Sequence, residues 1–539
     1  MKSECLPFTQ IPHTTRLFAD FLSDYPKVQQ FYSRPPYVQE WLKDEASRIH
    51  YDPDRRERVA VILRRLNQSW GASAQSLENI ERLRLGAAAA VTGQQVGLFG
   101  GPLFSIYKAL TAVQLARMAT EAGVNCVPVF WLATEDHDLD EVKHVAMPGA
   151  DASLEPLVAT TASTPDAPVG RVSFGPEIQL LVERAAELLG DTNILSALRE
   201  SYCPGQSFGS SFARLFANLF AQWGVILLDA SDPELHRIAA PIYRAAAERA
   251  AEIDNALFDR GKELEAGGYH QQVKVTPSST LLFTLRDGAR VAVHRYSFDN
   301  ESSEFLVENE KISRGELLAR IDSAPQDFSP NVLLRPVVQD YLLPTLAYTG
   351  GSAEIAYFAQ VDVVYEKLLG RTTPIVPRFS ATLVEPKLES LLNRYRLSLT
   401  DIFPGPESLR EQLAARALPN GLRSAFEDAE SSLKSSLTAV RGALERLDKT
   451  LLDAANNAEA KIHHQLESLR VKAARAELRQ TEVLGRHAQL LSNALYPNKT
   501  LQEREIAGIY FLSRYGQELL RNLYDSIHAD CLDHQVISL

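Results

Sequence analysis

A short acidic segment with one histidine, Glu135-Asp136-His137-Asp138, contains the residue types best suited to acid–base chemistry. It follows an apolar stretch, residues 125–133, that predicts a strand covered on both faces. Several carboxylates around one histidine are costly to place together unless a cation, a proton or an amine compensates their charge. The histidine could serve as a general base, and the acids could hold an ammonium group or Mg²⁺. The alternative is an acidic helix N-terminus with Asp136 or Asp138 as its cap.

A glycine-rich turn, residues 93–101, separates a predicted strand at 87–92 from a predicted helix at 103–121. Glycines in this position let backbone amides approach a phosphate or carboxylate, and the helix N-terminus adds a favourable partial charge. The spacing is neither GxGxxG nor GxxxxGK[ST], which disfavours a dinucleotide oxidoreductase and a P-loop enzyme. The alternative is a connection without a ligand. We assign cofactor binding to Gly93, Gly97, Gly100, Gly101 and Lys108, and substrate binding to Gln94, Gln95 and Glu135.

A third polar region contains Asn331, Arg335 and Gln339, which recur every four residues and would share one face of a helix. An arginine there can bind a substrate carboxylate through two hydrogen bonds, although a structural ion pair is the alternative. Gly350-Gly351 opens a second helix whose amides could bind another anion. We assign substrate binding to Asn331, Arg335, Gln339, Tyr348, Glu354 and Tyr357, and cofactor binding to Gly350 and Gly351.

Strand–turn–helix units must position these residues. Repetition of such units predicts a mostly parallel, doubly wound α/β sheet, which binds ligands at the carboxyl ends of its strands. Two segments, near residues 147–204 and 255–325, interrupt this alternation of strands and helices and are interpreted as insertions into the core. The second insertion contains a predicted hairpin that turns at Asp287-Gly288. The remaining units are predicted as strands at 224–229, 345–349 and 372–377, and as helices at 233–251 and 350–369.

From residue 386 the composition shifts to Leu, Ala, Glu, Arg and Lys, and apolar residues alternate steps of four and three. This heptad seam predicts a long helical coiled coil, either within one chain or between two. The seam consists of Leu433, Leu437, Val440, Leu444, Leu447, Leu451, Ala454 and Ala458. The predicted domains are a helical part at 1–85, the α/β core at 86–385, the coiled coil at 386–494 and a segment at 495–539 that returns to the core.

Composition limits the location and the partners of the chain. Its 539 residues suffice for two or three domains, and a net charge of −12 argues against a nucleic-acid partner. The apolar runs are too short to cross a bilayer and the N-terminus lacks a signal-peptide pattern, so we expect a cytoplasmic protein without a membrane partner. Four scattered cysteines without a CxxC pair predict reduced thiols, with neither a disulfide framework nor a zinc site: Cys5, Cys126, Cys203 and Cys531.

Taken together, these segments resemble the cysteine ligases of bacillithiol biosynthesis, the BshC family. The resemblance implies a Rossmann-like core with inserted connecting-peptide segments and a coiled coil that mediates homodimerisation. One departure is Ser352, where a proline is more typical after the two glycines. The matching stretches are TGQQVGLFGGPLFSIYK (92–108), VFWLATEDHDLDEV (129–142), GYHQQV (268–273), SPNVLLRPVVQDYLLPTLAYTGGSAEIAY (329–357), PIVPR (374–378) and LQERE (501–505).

The resemblance also implies a reaction, the joining of cysteine to glucosaminyl malate. An amine does not displace a bare carboxylate oxygen, so we expect ATP, which Mg²⁺ could accompany, to activate the cysteine carboxylate. His137 with Asp136 or Asp138 would orient or deprotonate the sugar amine, and Arg335 with Asn331 would hold malate. Two rival hypotheses are a non-catalytic coiled-coil partner of the pathway enzymes and a nucleotidyl or acyl transferase with another acceptor.

Overall fold

The computed structural model describes residues 2–149, 152–190, 192–296, 304–416, 420–478, 482–527 and 531–539. The strands are β1 (Lys2–Leu6), β2 (Ala88–Gln94), β3 (Cys126–Leu132), β4 (His144–Pro148), β5 (Leu154–Val158), β6 (Ile226–Asp229), β7 (Ser279–Arg286), β8 (Ala289–Arg295), β9 (Glu304–Val307), β10 (Glu310–Ser313), β11 (Phe328–Pro330), β12 (Thr345–Gly350), β13 (Ile375–Pro377), β14 (Ala381–Val384) and β15 (His534–Ser538).

The helices of the first 395 residues are α1 (Arg16–Ser23), α2 (Leu42–Ser47), α3 (Pro53–Ser69), α4 (Ala74–Arg84), α5 (Phe104–Glu121), α6 (Leu139–Val142), α7 (Glu177–Leu189), α8 (Asn193–Ser201), α9 (Phe208–Leu219), α10 (Pro233–Glu248), α11 (Ala250–Ala266), α12 (Arg314–Ser323), α13 (Arg335–Leu342), α14 (Ser352–Leu368) and α15 (Pro386–Tyr395). Those that follow are α16 (Pro406–Arg416), α17 (Asn420–Leu447), α18 (Leu452–Leu478), α19 (Glu482–Leu495), α20 (Gln502–Glu505), α21 (Gly508–Tyr515) and α22 (Glu518–Asp525).

The central sheet has the strand order β6-β3-β2-β12-β13, and all its neighbours are parallel. The chain runs outward from β2 through β3 to β6, then crosses back to β12 and continues to β13. The strand order therefore reverses between β2 and β12, and this switch point leaves a crevice beyond their carboxyl ends. The prediction of a doubly wound parallel sheet is confirmed.

Helices cover both faces of the central sheet, which explains the nearly unbroken apolar sequence of its strands. Every residue of β3 is buried. The helix α5 packs against β2, β3 and β12 and also contacts α21 and α22, so most of its side chains are buried as well. On other parts of the sheet, α3 contacts β6 and α4 contacts β3 and β6. The two helices that begin at the switch point, α5 and α14, are thus held on several sides.

A second, antiparallel sheet has the order β10-β9-β8-β7-β11 and packs on α10 and α11. The predicted hairpin is confirmed: β7 pairs with β8, and the turn places Asp287 and Gly288 at φ angles of 49° and 85°. The turn sequence suits this geometry because both residue types tolerate positive φ. This sheet extends from the core towards the acidic segment after β3.

A small sheet, β1-β15-β14, joins the two ends of the chain. The prediction that the N-terminal part is entirely helical is wrong here, because residues 2–6 pair antiparallel with residues 534–538. The prediction of four reduced cysteines is also wrong: Cys5 forms a disulfide with Cys531, whereas Cys126 and Cys203 are free. Spacing alone could not indicate this disulfide, because its two cysteines are 526 residues apart and meet only through the pairing of the strands.

The C-terminal coiled coil is an antiparallel hairpin of α17 and α18, which contact each other. The chain reverses at Asp448, whose carboxylate accepts hydrogen bonds from the N–H of Thr450 (2.9 Å) and its hydroxyl (2.8 Å). The expectation of one continuous seam is therefore wrong, because its two halves lie on separate helices that face each other. Among the described residues, no helix is long and apolar enough to span a membrane.

Candidate active site

A cavity of about 410 Å³ lies at the carboxyl ends of β2 and β12, and we call it the switch-point cavity. Its walls come from the end of β2, from α5, α13 and α14, and from α20 of the C-terminal segment. The predicted site residues that line it are Gly93, Gln94, Gln95, Lys108, Asp136, Arg335, Gly351, Glu354 and Tyr357. The other predicted residues are not part of this lining: Gly97, Gly100, Gly101, Glu135, His137, Asp138, Asn331, Gln339, Tyr348 and Gly350.

The glycine turn after β2 packs inside the protein. The amide N–H groups of Gly97, Gly100 and Gly101 donate to Gln95, Gly97 and Leu98 carbonyl oxygens at 2.9–3.2 Å. A Cβ on Gly97 would lie 3.0 Å from the Cα of Gly101. These three glycines therefore allow the chain to fold tightly against α9, which is the alternative that the sequence left open. Of the turn's glycines, Gly93 is the one that lines the switch-point cavity.

Lys108 and Glu354 form the centre of a buried ion cluster on one wall. Lys108 Nζ contacts Glu354 Oε2 at 2.6 Å and donates hydrogen bonds to the carbonyl of Gly93 and to Gln94 Oε1, both at 2.8 Å. These three acceptors match the three N–H groups of the lysine. Burial lowers the pKa of Lys108 to about 8, although Glu354 opposes this shift. The lysine therefore positions the wall of the cavity, whereas we expected it to bind a cofactor anion.

Glu354 also begins α14, because its carboxylate accepts a hydrogen bond from the N–H of Gly351 at 2.8 Å. Its other oxygen accepts a hydrogen bond from Tyr348 Oη at 2.5 Å. Burial would raise the pKa of Glu354, but the charge and hydrogen bond of Lys108 outweigh burial and hold that pKa below its usual range. The cluster thus keeps a carboxylate ionised inside the protein.

Arg335 completes the buried ion cluster, which we define as Lys108, Glu354, Tyr348, Arg335 and Tyr357. Its guanidinium donates to Tyr357 Oη and lies over the Tyr348 ring, 5.7 Å from the centroid. Burial would lower the pKa of Arg335, but the neighbouring Tyr357, Tyr348 and Glu354 outweigh it and raise that pKa. Two tyrosines thus orient this cation towards the cavity.

Asn331 and Gln339 do not share the cavity-facing side of α13 with Arg335. The helix begins only at Arg335, and Asn331 precedes it, with Oδ1 accepting from the N–H groups of Leu333 and Leu334 at 3.0 Å. Gln339 is fully buried. The prediction of one polar helix face therefore fails for both, because four-residue spacing has meaning only inside a helix.

An acidic rim, which we define as Asp136, His137, Asp138 and Glu141, contributes Asp136 and Glu141 to the lining of the cavity. Asp136 Oδ2 accepts a hydrogen bond from Gln95 Nε2 at 2.7 Å, and its Oδ1 accepts from the N–H of His137 at 2.7 Å. Burial raises the pKa of Glu141, and the negative charges of Asp138 and Asp136 raise it further. A hydrogen bond from Gln95 lowers this pKa but does not cancel the rise. Carboxylates with a raised pKa suit general-base chemistry near neutral pH.

His137 is oriented by a residue from the antiparallel sheet, Arg290. The guanidinium lies 3.3 Å from His137 Nδ1, and because arginine can only donate, Nδ1 is the acceptor in this contact. Arg290 also donates to Ser329 Oγ and to the carbonyl of Pro330, at 3.0 and 2.6 Å. Of the two neighbours, Asp136 lines the switch-point cavity, whereas His137 lies outside its lining.

Asp138 and Glu135 have contacts that differ from those of Asp136. Asp138 caps α6, accepting a hydrogen bond from the N–H of Glu141 at 3.0 Å, as the alternative interpretation had it. Glu135 is buried with its Oε1 3.3 Å from His236 Nε2, and that oxygen has no hydrogen-bond partner among the described atoms. Burial raises the pKa of Glu135 to about 8, which Arg290 opposes.

Arg378 and Arg504 also line the cavity, and sequence reasoning assigned them no role. Arg378 follows β13 and lies in the stretch PIVPR, whereas Arg504 lies in α20 and in the stretch LQERE. Both stretches match the resembled family. That match was the available indication, but their approach depends on the C-terminal segment folding back onto the core. Gln272, from the loop between α11 and β7, is a third lining residue of this kind. In the described part of the chain, no group of three or more His, Cys, Asp or Glu is placed to hold a metal ion.

Two family models match the chain over almost its whole length. "Bacillithiol biosynthesis BshC, N-terminal Rossmann-like domain" matches residues 1–379, and "Bacillithiol biosynthesis BshC, C-terminal coiled-coil domain" matches residues 381–539. Similar proteins named "Putative cysteine ligase BshC" occur in Koribacter versatilis, 52% identical over 100% of both chains, and Solibacter usitatus, 37% identical over 100% of both. Another, from Salinibacter ruber, is 34% identical over 97% of this chain and 96% of its own. The chain therefore belongs to the BshC family of bacillithiol biosynthesis.

Proposed function

We propose that this chain is a ligase that forms an amide bond between the carboxylate of cysteine and the amine of glucosaminyl malate. The relatives named above support the reaction class. The observation that carries the proposal is the switch-point cavity itself, which has oriented cations on one wall and carboxylates on the other. An acceptor with an amine at one end and carboxylates at the other would match both walls.

The cationic wall fits the malate part of this acceptor. Arg335 is oriented by two tyrosine side chains, and a guanidinium binds a carboxylate through two parallel hydrogen bonds. Gln94 and Gln95 supply amide groups on the neighbouring wall. This combination favours a small, polar, doubly charged acid over an apolar acceptor.

The acidic rim fits the amine. As the nitrogen attacks the activated carbonyl carbon, a C–N bond forms, the bond from that carbon to its activated oxygen breaks, and the ammonium proton must leave. Asp136 faces the cavity and accepts that proton, while Glu141, with its raised pKa, lies next to it. His137, whose Nδ1 is bound by Arg290, would donate Nε2–H to the oxygen of the carbonyl under attack.

An activating nucleotide would fit at the start of α14. A Cβ on Gly351 would lie 3.3 Å from Arg378 Nε, so the glycine leaves room beside this guanidinium. Gly351, Arg378 and Arg504 would hold the phosphates of ATP, and Mg²⁺ would enter with the nucleotide. ATP supplies a better leaving group on the cysteine carboxylate.

A complementation experiment tests the ligase proposal. Bacillithiol-producing cells that lack their own family member would receive this chain, its Arg335→Met variant, or the matched control Arg237→Met, which changes an exposed arginine outside the cavity. Mass spectrometry of thiols and their precursors should find bacillithiol restored by the wild-type chain and by Arg237→Met. With Arg335→Met, glucosaminyl malate should accumulate instead. Soluble expression of the wild-type chain without bacillithiol would contradict the proposal.

We also propose that the coiled coil pairs two copies of this chain. Apolar side chains of the α17–α18 hairpin remain exposed, among them Val440 (52%), Leu447 (78%) and Leu469 (57%). Residues of both halves of the seam line a groove of about 270 Å³ between the helices. Light scattering after size exclusion should find a dimer for the wild type and the control Ser435→Glu, and a monomer for Val440→Glu. A wild-type monomer at micromolar concentration would contradict pairing.

A further inference from the structure

The disulfide between Cys5 and Cys531 joins strand β1 to the segment before β15. Cys5 is exposed, and it lies in β1, the edge strand of the small sheet β1-β15-β14. Cys531 is half-buried. A small molecule in solution can therefore reach the sulfur of Cys5 more easily than that of Cys531, and access influences which sulfur of a disulfide is attacked.

The residues after Cys531 connect the disulfide to the interior of the small sheet. Asp533 Oδ1 accepts a hydrogen bond from the N–H of Phe8 at 3.1 Å, which ties this segment to the chain after β1. The next residue, His534, is the first of β15 and is fully buried. A short segment, residues 532–533, is thus all that separates the disulfide from a buried imidazole.

His534 belongs to a polar network that ends at Arg378 in the lining of the switch-point cavity. Its Nδ1 lies 2.7 Å from Ser380 Oγ, and its Nε2 lies 2.9 Å from Thr382 Oγ1. Ser380 Oγ donates a hydrogen bond to Glu503 Oε1 at 3.0 Å, and the same carboxylate oxygen lies 2.5 Å from Arg378 Nη2. Glu503 is 1% exposed, so its charge requires these partners. The position of β15 therefore affects how Glu503 holds Arg378.

A narrow cavity of about 70 Å³ is lined by both Cys531 and Arg378, and residues 532–533 contribute to its walls. Residues 531–533 are all half-buried. Because a void lies beside this segment, close packing alone does not fix its position. The disulfide, the hydrogen bond of Asp533 and the strand β15 restrain it instead, and breaking the disulfide removes one of these restraints.

A thiol can open this disulfide by exchange. The thiolate attacks Cys5 Sγ, a bond forms between the two sulfurs, the bond from Cys5 to Cys531 breaks, and Cys531 leaves as a thiolate that takes up a proton. A second thiol molecule attacks the mixed disulfide and releases Cys5 as a thiol together with a small-molecule disulfide, and the reverse exchange with that molecule restores the bond. Under the proposed function the chain itself makes such a thiol, because an amide bond at the cysteine carboxylate leaves the –SH group free.

We propose that Cys5 is a site of modification by a low-molecular-weight thiol, and that opening of its disulfide weakens the contact between Glu503 and Arg378 at the switch-point cavity. The identity of the thiol as the product rests on the proposed function, whereas the site and its effect rest on the contacts described above. The chain then responds to its own product. Abundant thiol opens the bond and slows the ligation, and oxidation of the thiol pool to disulfides closes the bond and restores the rate.

Mass spectrometry combined with hydrogen exchange tests the site on the purified full-length chain, with its free thiols blocked by N-ethylmaleimide at lysis. The protein should contain the cross-link between Cys5 and Cys531. Incubation with bacillithiol should add the mass of one thiol to the peptide that contains Cys5, and amide exchange in β15 and α20 should become about 5-fold faster or more. Oxidised bacillithiol should reverse the change, which distinguishes opening of the bond from unfolding.

Two variants complete this experiment. Cys5→Ser should show the fast exchange without added thiol, whereas the matched control Cys203→Ser, which changes a free and half-buried cysteine, should behave like the wild type. In complemented cells, Cys5→Ser should lower the initial rate of bacillithiol formation about 3-fold or more at equal protein level, because a displaced binding group costs rate.

Absence of the cross-link, or amide exchange in β15 and α20 that the thiol leaves unchanged, would overturn the modification site. A rate for Cys5→Ser equal to that of the wild type would overturn its effect on the switch-point cavity. The cross-link and the exchange are measured without catalysis. A wild-type chain that shows both but restores no bacillithiol would therefore overturn the proposed function, and with it the product as the thiol, and leave the modification site standing.

Discussion

The buried ion cluster and the acidic rim face each other across one cavity, but they are built in different ways. In the cluster, Lys108 and Glu354 satisfy each other's charges inside the protein before any ligand binds. In the rim, the side chains of Asp136 and His137 are each 35% exposed. Under the proposed function, the difference teaches that a wall which only has to hold a charged substrate can be rigid, whereas a wall that exchanges a proton must remain open to it.

Removing the cation of the cluster should have the largest effect. Lys108→Met leaves the Glu354 carboxylate buried without its partner, and we expect the free energy of unfolding to fall by about 3–5 kcal/mol. The double variant Lys108→Met/Glu354→Gln, which is neutral, should recover part of this loss. Denaturant unfolding measures both. Equal losses in the single and the double variant would contradict a paired ion cluster.

The rim should respond in activity and hardly in stability. Asp136→Asn keeps the shape of the side chain but removes its basicity, so bacillithiol formation in complemented cells should fall about 100-fold or more. His137→Gln, which keeps a hydrogen-bonding side chain, should lose less. Initial rates of bacillithiol accumulation, normalised to protein level, distinguish the two. A larger loss of activity for His137→Gln than for Asp136→Asn would indicate that the histidine is the general base.

Glu135 sharpens the comparison because it follows the same strand yet is buried. Its pKa is raised to about 8 by burial, so the folded state holds a proton that the unfolded state releases above about pH 4.5. Its contribution to stability is therefore complete below about pH 4.5, declines as the pH rises, and levels off above about pH 8. Relative to wild type, Glu135→Gln should become more stable across this window by up to about 5 kcal/mol. A pH-independent difference in unfolding free energy would refute the shift.

The smallest effect is expected at Asp138, at the outer edge of the rim. Asp138→Ala removes the cap of α6 and should cost about 0.5–1 kcal/mol of stability, with bacillithiol formation unchanged. Asp138→Asn retains a capping side chain and should behave like the wild type. Thermal unfolding and the complementation assay measure the two properties. Loss of activity in Asp138→Asn would show that the Asp138 carboxylate takes part in the proton transfer.

The core of the fold could be predicted from local sequence, because its strands are apolar runs followed by glycines and helices. The small sheet at the chain ends could not, since each strand's partner lies at the other end of the sequence. The reversal at Asp448 was hidden because the heptad spacing continues across it. A residue pattern records which side chains are apolar, but not which distant segment covers them.

The candidate site was predictable to a similar extent. Glu354 and Asp136 follow β12 and β3 of the central sheet closely enough for their position to indicate the site, whereas Arg335 follows β11 of the antiparallel sheet. The roles within the site were less accessible, since the pairing of Lys108 with Glu354 depends on how two helices meet. Arg504 approaches from a segment more than 100 residues beyond the last central strand, and local spacing carries no information about that return.

The pairing of β1 with β15 also has a consequence for synthesis on the ribosome. The strand β1 is translated long before its partner, which consists of residues 534–538. Glu503, which holds Arg378, is likewise translated long after the core strands. The nascent chain can therefore form its central sheet early, yet its candidate site closes only once these late segments have been made, so a partly made chain carries the fold without a finished pocket.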